Sequence, residues 1–143
     1  MKNVIAFFCG VIMLLSVSLV SRDHFNLENY DKVVLVTEKE IEGCSSIQNG
    51  NDFYTTFADN TWQCFVDKSK SVIFYFDEFD FSKFAKSCDE IYRCRDIEEN
   101  AVYEGFYKEY DKCLLIDGKK ENFQLAINGK SAILGFPMIV TGF

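Results

Sequence analysis

The chain lacks most of the residues and motifs on which enzyme chemistry depends. Its single histidine, His24, lies before the segment that we expect to fold, so the commonest general base is missing from the domain. No Gly-x-Gly-x-x-Gly or Gly-Lys-Ser/Thr sequence occurs, which argues against the usual phosphate-binding loops. No two cysteines are spaced as Cys-x-x-Cys, which argues against a thioredoxin-type redox site and a zinc knuckle. We therefore expect a protein that is not an enzyme, with no catalytic residue, cofactor or metal.

One long apolar stretch is present, and it lies at the N-terminus. Met1-Lys2-Asn3 is a short basic start, residues 4–20 (VIAFFCGVIMLLSVSLV) are almost entirely apolar, and Arg22-Asp23-His24 follows. This arrangement is typical of a secretory signal peptide or a single membrane anchor. Small residues at Ser16-Val17-Ser18 offer a weak cleavage site, so both interpretations stay open.

Either interpretation places the rest of the chain outside the cytoplasm. We predict a signal peptide or membrane anchor over residues 1–21, a tether over 22–31 and a single extracytoplasmic domain over 32–143. A retained anchor predicts a single-pass protein of the cell membrane, attached through its N-terminal segment, and a cleaved signal predicts a secreted protein.

The charge of the chain excludes one class of partner. The sequence has 15 Lys and Arg against 22 Asp and Glu, and leaving out Lys2 gives 14 against 22, a net charge of −8 for the expected external part. Such a charge opposes binding to phosphate backbones and to anionic membrane surfaces. We expect an unidentified protein or other envelope component as the partner, and no nucleic acid.

Five cysteines follow the apolar segment, and an odd number cannot pair completely within one chain. They are Cys44, Cys64, Cys88, Cys94 and Cys113. An oxidising compartment would permit one or two disulfides, and the alternative is that most are small buried apolar residues or free thiols. Cys88 and Cys94 are not expected to bridge if both lie in one helix, because six residues rise about 9 Å, beyond the reach of a disulfide.

Runs of β-branched and aromatic residues predict an antiparallel sheet of about 5–7 strands. The predicted strands cover residues 33–37, 52–57, 71–77, 101–108, 112–117, 122–127 and 131–136. We expect 33–37 and 52–57 to pair across a loop that ends in Asn49-Gly50. Asn128-Gly129 predicts a type I′ hairpin between the last two strands, and Pro137 predicts that the final strand lies at an edge or ends there.

The spacing of apolar residues predicts one main helix over residues 80–92. Its apolar positions follow the helical period: Phe81, Phe84, Ala85, Cys88, Ile91 and Tyr92. Asp80 is a suitable N-cap. A second, short helix is predicted within 58–70 by Trp62, Phe65 and Val66. The predicted fold is α+β, an antiparallel sheet with the main amphipathic helix packed on one face and an N-terminal hydrophobic helix before it.

The C-terminal stretch resembles a known family. Gly105-Phe106, "IDGKKENFQLAI" (116–127) and "GFPMIVTGF" (135–143) are similar to the end of the YwmB family, exported or membrane-anchored proteins with a fold like the TATA-box-binding protein. The resemblance covers about 40 residues. It implies an α+β sheet-and-helix fold, no known chemistry and no functional residue that can be carried over.

Two constellations are candidate sites. Tyr103, Phe106, Tyr107 and Tyr110 precede the last strands and, where exposed, would form a contact surface for a peptide or glycan. In "FYFDEFDF" (74–81), Asp77, Glu78 and Asp80 could perform acid–base chemistry or bind calcium, but a strand running into a capped helix explains them better.

The sequence therefore predicts a non-catalytic module, membrane-anchored or secreted, that binds or organises partners at the cell envelope. One alternative is a thiol-active or disulfide-stabilised secreted protein, motivated by the odd number of cysteines. A second alternative is a structural subunit of a membrane complex.

Overall fold

An eight-stranded, entirely antiparallel β-sheet forms the centre of the molecule in the computed structural model, which describes residues 27–139. The strands are β1 (Lys32–Thr37), β2 (Ser46–Asn49), β3 (Asp52–Phe57), β4 (Ser69–Phe76), β5 (Cys88–Ile97), β6 (Asn100–Tyr107), β7 (Leu114–Ile116), β8 (Lys119–Glu121), β9 (Phe123–Asn128) and β10 (Ser131–Phe136). Their order in the sheet is β2-β3-β1-β4-β10-β9-β6-β5, and β7 and β8 form a separate two-stranded ribbon. One short helix, α1 (Phe81–Lys86), and two 3-10 turns, Asn60–Cys64 and Val66–Lys68, complete the described elements.

The predicted α+β fold is wrong, because the structure is mostly antiparallel sheet, with 52% strand and 13% helix. The predicted helix over 80–92 ends after six residues, at Lys86, and residues 88–97 form the edge strand β5 instead. In place of the predicted short helix within 58–70 there are two 3-10 turns. The resemblance to the YwmB family implied the same α+β fold, and the structure corrects that fold class, while the resemblance itself stays a prediction.

Two bulges in β5 explain why the spacing of its apolar residues resembles that of a helix. The register of β5 shifts between Cys88 and Glu90 and again between Ile91 and Arg93, so each shift adds one residue to β5. The resulting pairs are Cys88 with Tyr107, Ile91 with Gly105 and Cys94 with Tyr103. Positions of β5 on one side of the sheet are thus three residues apart rather than two, which matches the i, i+3 spacing of a helix face.

The predicted pairing of the first two strands is confirmed. β1 and β3 run antiparallel from Val33 opposite Phe57 to Thr37 opposite Phe53. The predicted loop between them contains an additional strand, β2, which joins β3 through Gly50-Asn51. β2 and β5 bring the main sheet to eight strands, more than predicted.

The final hairpin forms as predicted, but with a different turn. Asn128 pairs with Ser131, so the two loop residues are Gly129 and Lys130, and of these only Gly129 has a positive φ, at 60°. A glycine with positive φ at the first loop position is typical of a type II′ turn rather than the predicted type I′ turn. β10 is a central strand that ends at Phe136, immediately before Pro137.

The core lies on one face of the sheet, which we call the core face. Alternating residues of the central strands point to it, among them Leu35, Phe74, Leu125 and Leu134, all fully buried. The helix α1, the 3-10 turns and the loop 38–45 cover this face through Phe84, Trp62, Val66 and Ile41, which are buried in the same cluster.

The opposite face, which we call the far face, has a smaller apolar cluster. Val34, Val36 and Ile73 are buried there, with Tyr54, Tyr75 and Ile133 half-buried beside them. The chain turns back over this face after Phe136-Pro137, which is a cis peptide bond. Ser71 Oγ donates a hydrogen bond to the Met138 carbonyl at 2.8 Å. A Cβ at Gly135 would lie 2.5 Å from the Met138 carbonyl carbon, so the crossing requires glycine there.

Residues 27–31 of the predicted tether lie against the sheet. The ring centroids of Tyr30 and Phe74 lie 5.4 Å apart, and the Tyr30 hydroxyl accepts a hydrogen bond from Trp62 Nε1 at 3.1 Å. Asp31 N donates to the Tyr75 carbonyl at 2.8 Å. No helix within residues 27–139 is long and apolar enough to cross a membrane. The predicted signal or anchor over 1–21 lies outside the described residues.

Candidate functional site

The two edges of the main sheet differ in how they are protected from pairing with another strand. Edge strand β5 carries two bulges and charged residues such as Asp89, Glu90 and Arg95. Both features prevent a regular strand from adding to an edge. Edge strand β2 has the sequence Ser-Ile-Gln-Asn, with no charge, no proline and a regular register along β3. β2 is therefore the open edge of the sheet formed by residues 27–139.

Ile47, at the centre of β2, is the most exposed large apolar residue of the described chain. It is 76% exposed and lies on the far face, opposite Tyr54 of β3. On the other side of β3, Val36 of β1 lies opposite Tyr54 on the same face and is buried. The apolar row of the far face thus runs outward to an isoleucine that nothing in the described part of the chain covers.

On the core face, the loop 38–45 lies beside β2. Its Ile41 is buried in the core cluster, and Cys44 N donates to the Ile41 carbonyl at 3.1 Å, which fixes the loop. Glu40 Oε1 accepts a hydrogen bond from Ser46 Oγ, on β2, at 3.3 Å. Glu40 and Glu42 are exposed, and within residues 27–139 neither forms an ion pair.

Glu38, the third acid of this loop, forms an ion pair with Lys70 of β4, which also binds Asp52 of β3. Lys70 Nζ lies 2.8 Å from Asp52 Oδ1 and 3.5 Å from Glu38 Oε1. The hydrogen bond to Asp52, followed by the nearby negative charges, raises the pKa of Lys70. A surface cavity of about 790 Å³ opens at this end of the sheet, lined in part by Thr37, Ile41, Phe65 and Lys70.

The four aromatic residues predicted as a contact surface do not form one surface. Tyr107 and Tyr110 are fully buried, while Tyr103 and Phe106 are half-buried. The Tyr107 ring stacks on Phe84 at 5.7 Å, in the core. Tyr103 and Tyr107 point to the core face and Phe106 to the far face, so only two of the four reach the surface, on opposite sides.

Asn122, which the sequence did not single out, determines the path of the chain after β6. Its side chain is fully buried. Asn122 Oδ1 accepts from Tyr107 N at 2.6 Å, and Nδ2 donates to the carbonyls of Tyr107 and Tyr110 at 2.8 and 2.5 Å. Two of these bonds join the end of β6, and the third joins the loop 108–113, to the residue that precedes β9.

The cysteines differ in exposure, and no disulfide joins those whose side chains are described. Cys64 and Cys113 are exposed, Cys44 is half-buried and Cys88 is buried. Burial raises the pKa of the Cys88 thiol to about 12, which disfavours its nucleophilic thiolate form. The Cys94 side chain lies outside the described part. Both Cys88 and Cys94 belong to one strand, not one helix, and six strand residues span about 20 Å, too far for a disulfide.

Among the acids of residues 74–81, the Asp80 carboxylate has a structural role. Asp80 caps α1 and accepts from Lys83 N at 3.0 Å. Asp77 N donates to Asp31 Oδ2 at 2.6 Å. No group of three or more His, Cys, Asp or Glu side chains within residues 27–139 is placed to bind a metal ion.

A polar network on the far face connects β5, β6 and β9 to the returning C-terminal segment. Glu104, buried on β6, accepts from Arg95 Nη2 at 2.7 Å and from Gln124 Nε2 at 3.0 Å. Gln124 Oε1 in turn accepts from Ile139 N at 3.3 Å. The network fixes that segment across the sheet and leaves the β2 end of the far face open.

Comparison with protein-family models finds no match to the chain. Comparisons with curated proteins and with solved structures find no significant match either. The resemblance to the YwmB family stays a prediction from sequence.

Proposed function

We propose that the chain is a non-catalytic binding module of the cell envelope and that a partner protein attaches to it by adding a β-strand to β2. The membrane-anchored or secreted location is part of the proposal and depends on the composition of residues 1–21. The uncharged, regular edge of β2, in a sheet whose other edge is charged and bulged, carries the proposal.

Backbone hydrogen bonding makes an open strand edge a binding site. The outer N–H and C=O groups of β2 offer a template for an extended peptide, as in other complexes formed by strand addition. Such bonds contribute about 0.5–1.5 kcal/mol each, so a four-residue strand needs side-chain contacts as well. Ile47, exposed at the centre of β2, provides the first of them.

Photo-crosslinking tests the proposal. A photoreactive amino acid replaces Ile47 in the full chain, expressed in its native cell, and a matched chain carries it at Ile91 on the opposite edge. We expect a discrete adduct from position 47 only, with the crosslink in an extended segment of one partner. The backbone amides of β2 should gain protection from hydrogen exchange in that complex, because they become bonded to the added strand.

Two results would contradict the proposal. Equal adducts from positions 47 and 91 would show that crosslinking follows exposure alone. An adduct between two copies of the chain would show that the edge mediates self-association and not partner binding.

A further inference from the structure

We infer that the strand recognised by β2 carries basic residues on one face and apolar residues on the other. This inference rests on the proposed strand addition and specifies the chemistry of the partner. It follows from the different surroundings of β2 on the two faces of the sheet.

On the far face, β2 offers an apolar contact. Ile47 is 76% exposed and Tyr54, opposite it, is half-buried. In an added antiparallel strand, the residue opposite Ile47 points to the same face, with Cβ atoms about 4.5–5.5 Å apart. An aliphatic residue there would cover the exposed isoleucine.

On the core face, the carboxylate of Glu40 lies beside β2. Ser46 points to that face, and its hydroxyl donates to Glu40, which holds the exposed Glu40 beside the edge; Glu42, also exposed, follows two residues later in the same loop. Glu38 is set apart from them because it pairs with Lys70. Glu40 and Glu42 have no such cation within residues 27–139, so lysine or arginine in an added strand would meet two available carboxylates.

Because the side chains of a strand alternate between faces, these two surroundings select an alternating sequence. Residues toward Ile47 are apolar and the residues between them are basic. A shift of one position would place lysine on Ile47 and an aliphatic side chain on the carboxylates, so the two faces also fix the register.

Binding of synthetic peptides to the full-length chain in detergent micelles tests the inference. The first probe is an eight-residue Lys-Val repeat. The second is a Glu-Val repeat of the same length, and the third has the composition of the first with its four lysines and four valines in separate blocks. We expect the alternating basic peptide to bind at least about ten-fold more tightly than either of the others, by fluorescence anisotropy.

Variants of the chain localise the binding. Glu40→Gln with Glu42→Gln should weaken binding of the Lys-Val repeat about three- to ten-fold, the effect of losing two exposed ion pairs. Ile47→Lys should weaken it by at least as much. The matched control, Glu98→Gln with Glu99→Gln, removes the same charge from the exposed turn between β5 and β6 and should leave affinity unchanged.

The outcomes separate this inference from the proposed function. Equal affinity for the alternating and block peptides, or an equal loss in the control variant, would show general attraction to an acidic protein and overturn the inference. Crosslinking at position 47 to an acidic or uncharged strand would also overturn it while the proposed strand addition stands. Failure of crosslinking at position 47 would remove both.

Discussion

Single buried polar residues determine several chain paths in this protein, and Asn122 is the clearest case. One side chain supplies three hydrogen bonds to the backbone of Tyr107 and Tyr110 in a site without solvent access. From sequence alone it is the polar residue before a strictly alternating strand, and nothing local indicates that it is buried. Asn122 is buried and bonded because the loop 108–113 folds back over its side chain.

Replacing Asn122 with alanine should destabilise the fold by about 2–4 kcal/mol, because the buried amide and carbonyl groups it satisfies lose their partners. Urea unfolding of the two chains measures the difference. Asn51→Ala, in the exposed turn between β2 and β3, is the control and should change stability by less than about 0.5 kcal/mol. Equal stability of the Asn122→Ala chain and the unchanged chain would mean that the loop 108–113 does not follow the described path.

Among the elements, β5 is where local pattern and tertiary structure disagree most. The sequence of residues 80–92 satisfies the helical period, and α1 forms where that pattern begins, with Asp80 as the predicted N-cap. After Ser87 the chain pairs with β6 over the length of that strand. Pairing satisfies the backbone of both strands and covers the edge that β6 would otherwise leave open, so tertiary context overrides a weak local preference.

A substitution at Gly105 tests the placement of β5. A Cβ at that position would lie 2.2 Å from the Glu90 carbonyl oxygen and 3.0 Å from Ile91 Cα, both backbone atoms at the bulges of β5. Gly105→Ala should therefore cost about 1–3 kcal/mol or more by overpacking.

Hydrogen exchange locates the effect of Gly105→Ala. Amides of β5 and β6 should lose protection, while those of β1 and β3, at the other side of the sheet, serve as the internal reference. Wild-type stability and unchanged exchange in the Gly105→Ala chain would be the result that a helix through residue 92 predicts, and would contradict the strand.

At the scale of the molecule, the order of the strands decides which charged segments share an end of the sheet. Antiparallel order places residues 27–31, the acids at 77–80 and the turn with Glu98 and Glu99 at one end. The loop 38–45 and the β7–β8 ribbon lie at the other end. If residues 1–21 are a retained anchor, the end with residues 27–31 is nearest the bilayer, where anionic headgroups would repel its acids.

The order of the strands also predicts slow folding. The central strands β4 and β10 join residues far apart in sequence, from Phe76 opposite Ala132 to Val72 opposite Phe136. Such long-range pairing predicts refolding on the order of milliseconds to seconds. The chain has one tryptophan, Trp62, buried against Phe74 at 5.2 Å, so its fluorescence in stopped-flow refolding reports on the core. Refolding within tens of microseconds, the range of proteins with mainly local contacts, would contradict this prediction.

Local chemistry in the sequence determined the existence of most strands and the final hairpin. Alternating apolar residues predict β9, β-branched residues predict β1 and β4, and glycine after asparagine predicts the turns before β3 and β10. Each of these signals acts between neighbours in the chain, so no knowledge of the fold is needed to interpret it.

Only the tertiary structure decided which strands are edges, that residues 88–97 are a strand, and which aromatic residues are buried. Strand order depends on pairing between segments as far apart as β4 and β10, and the bulges in β5 depend on its partner β6. The candidate site follows the same division: Asn49-Gly50 marks a turn in the sequence, but β2 was predicted as part of a loop. Ile47 becomes a candidate site because no strand within residues 27–139 pairs with the outer side of β2.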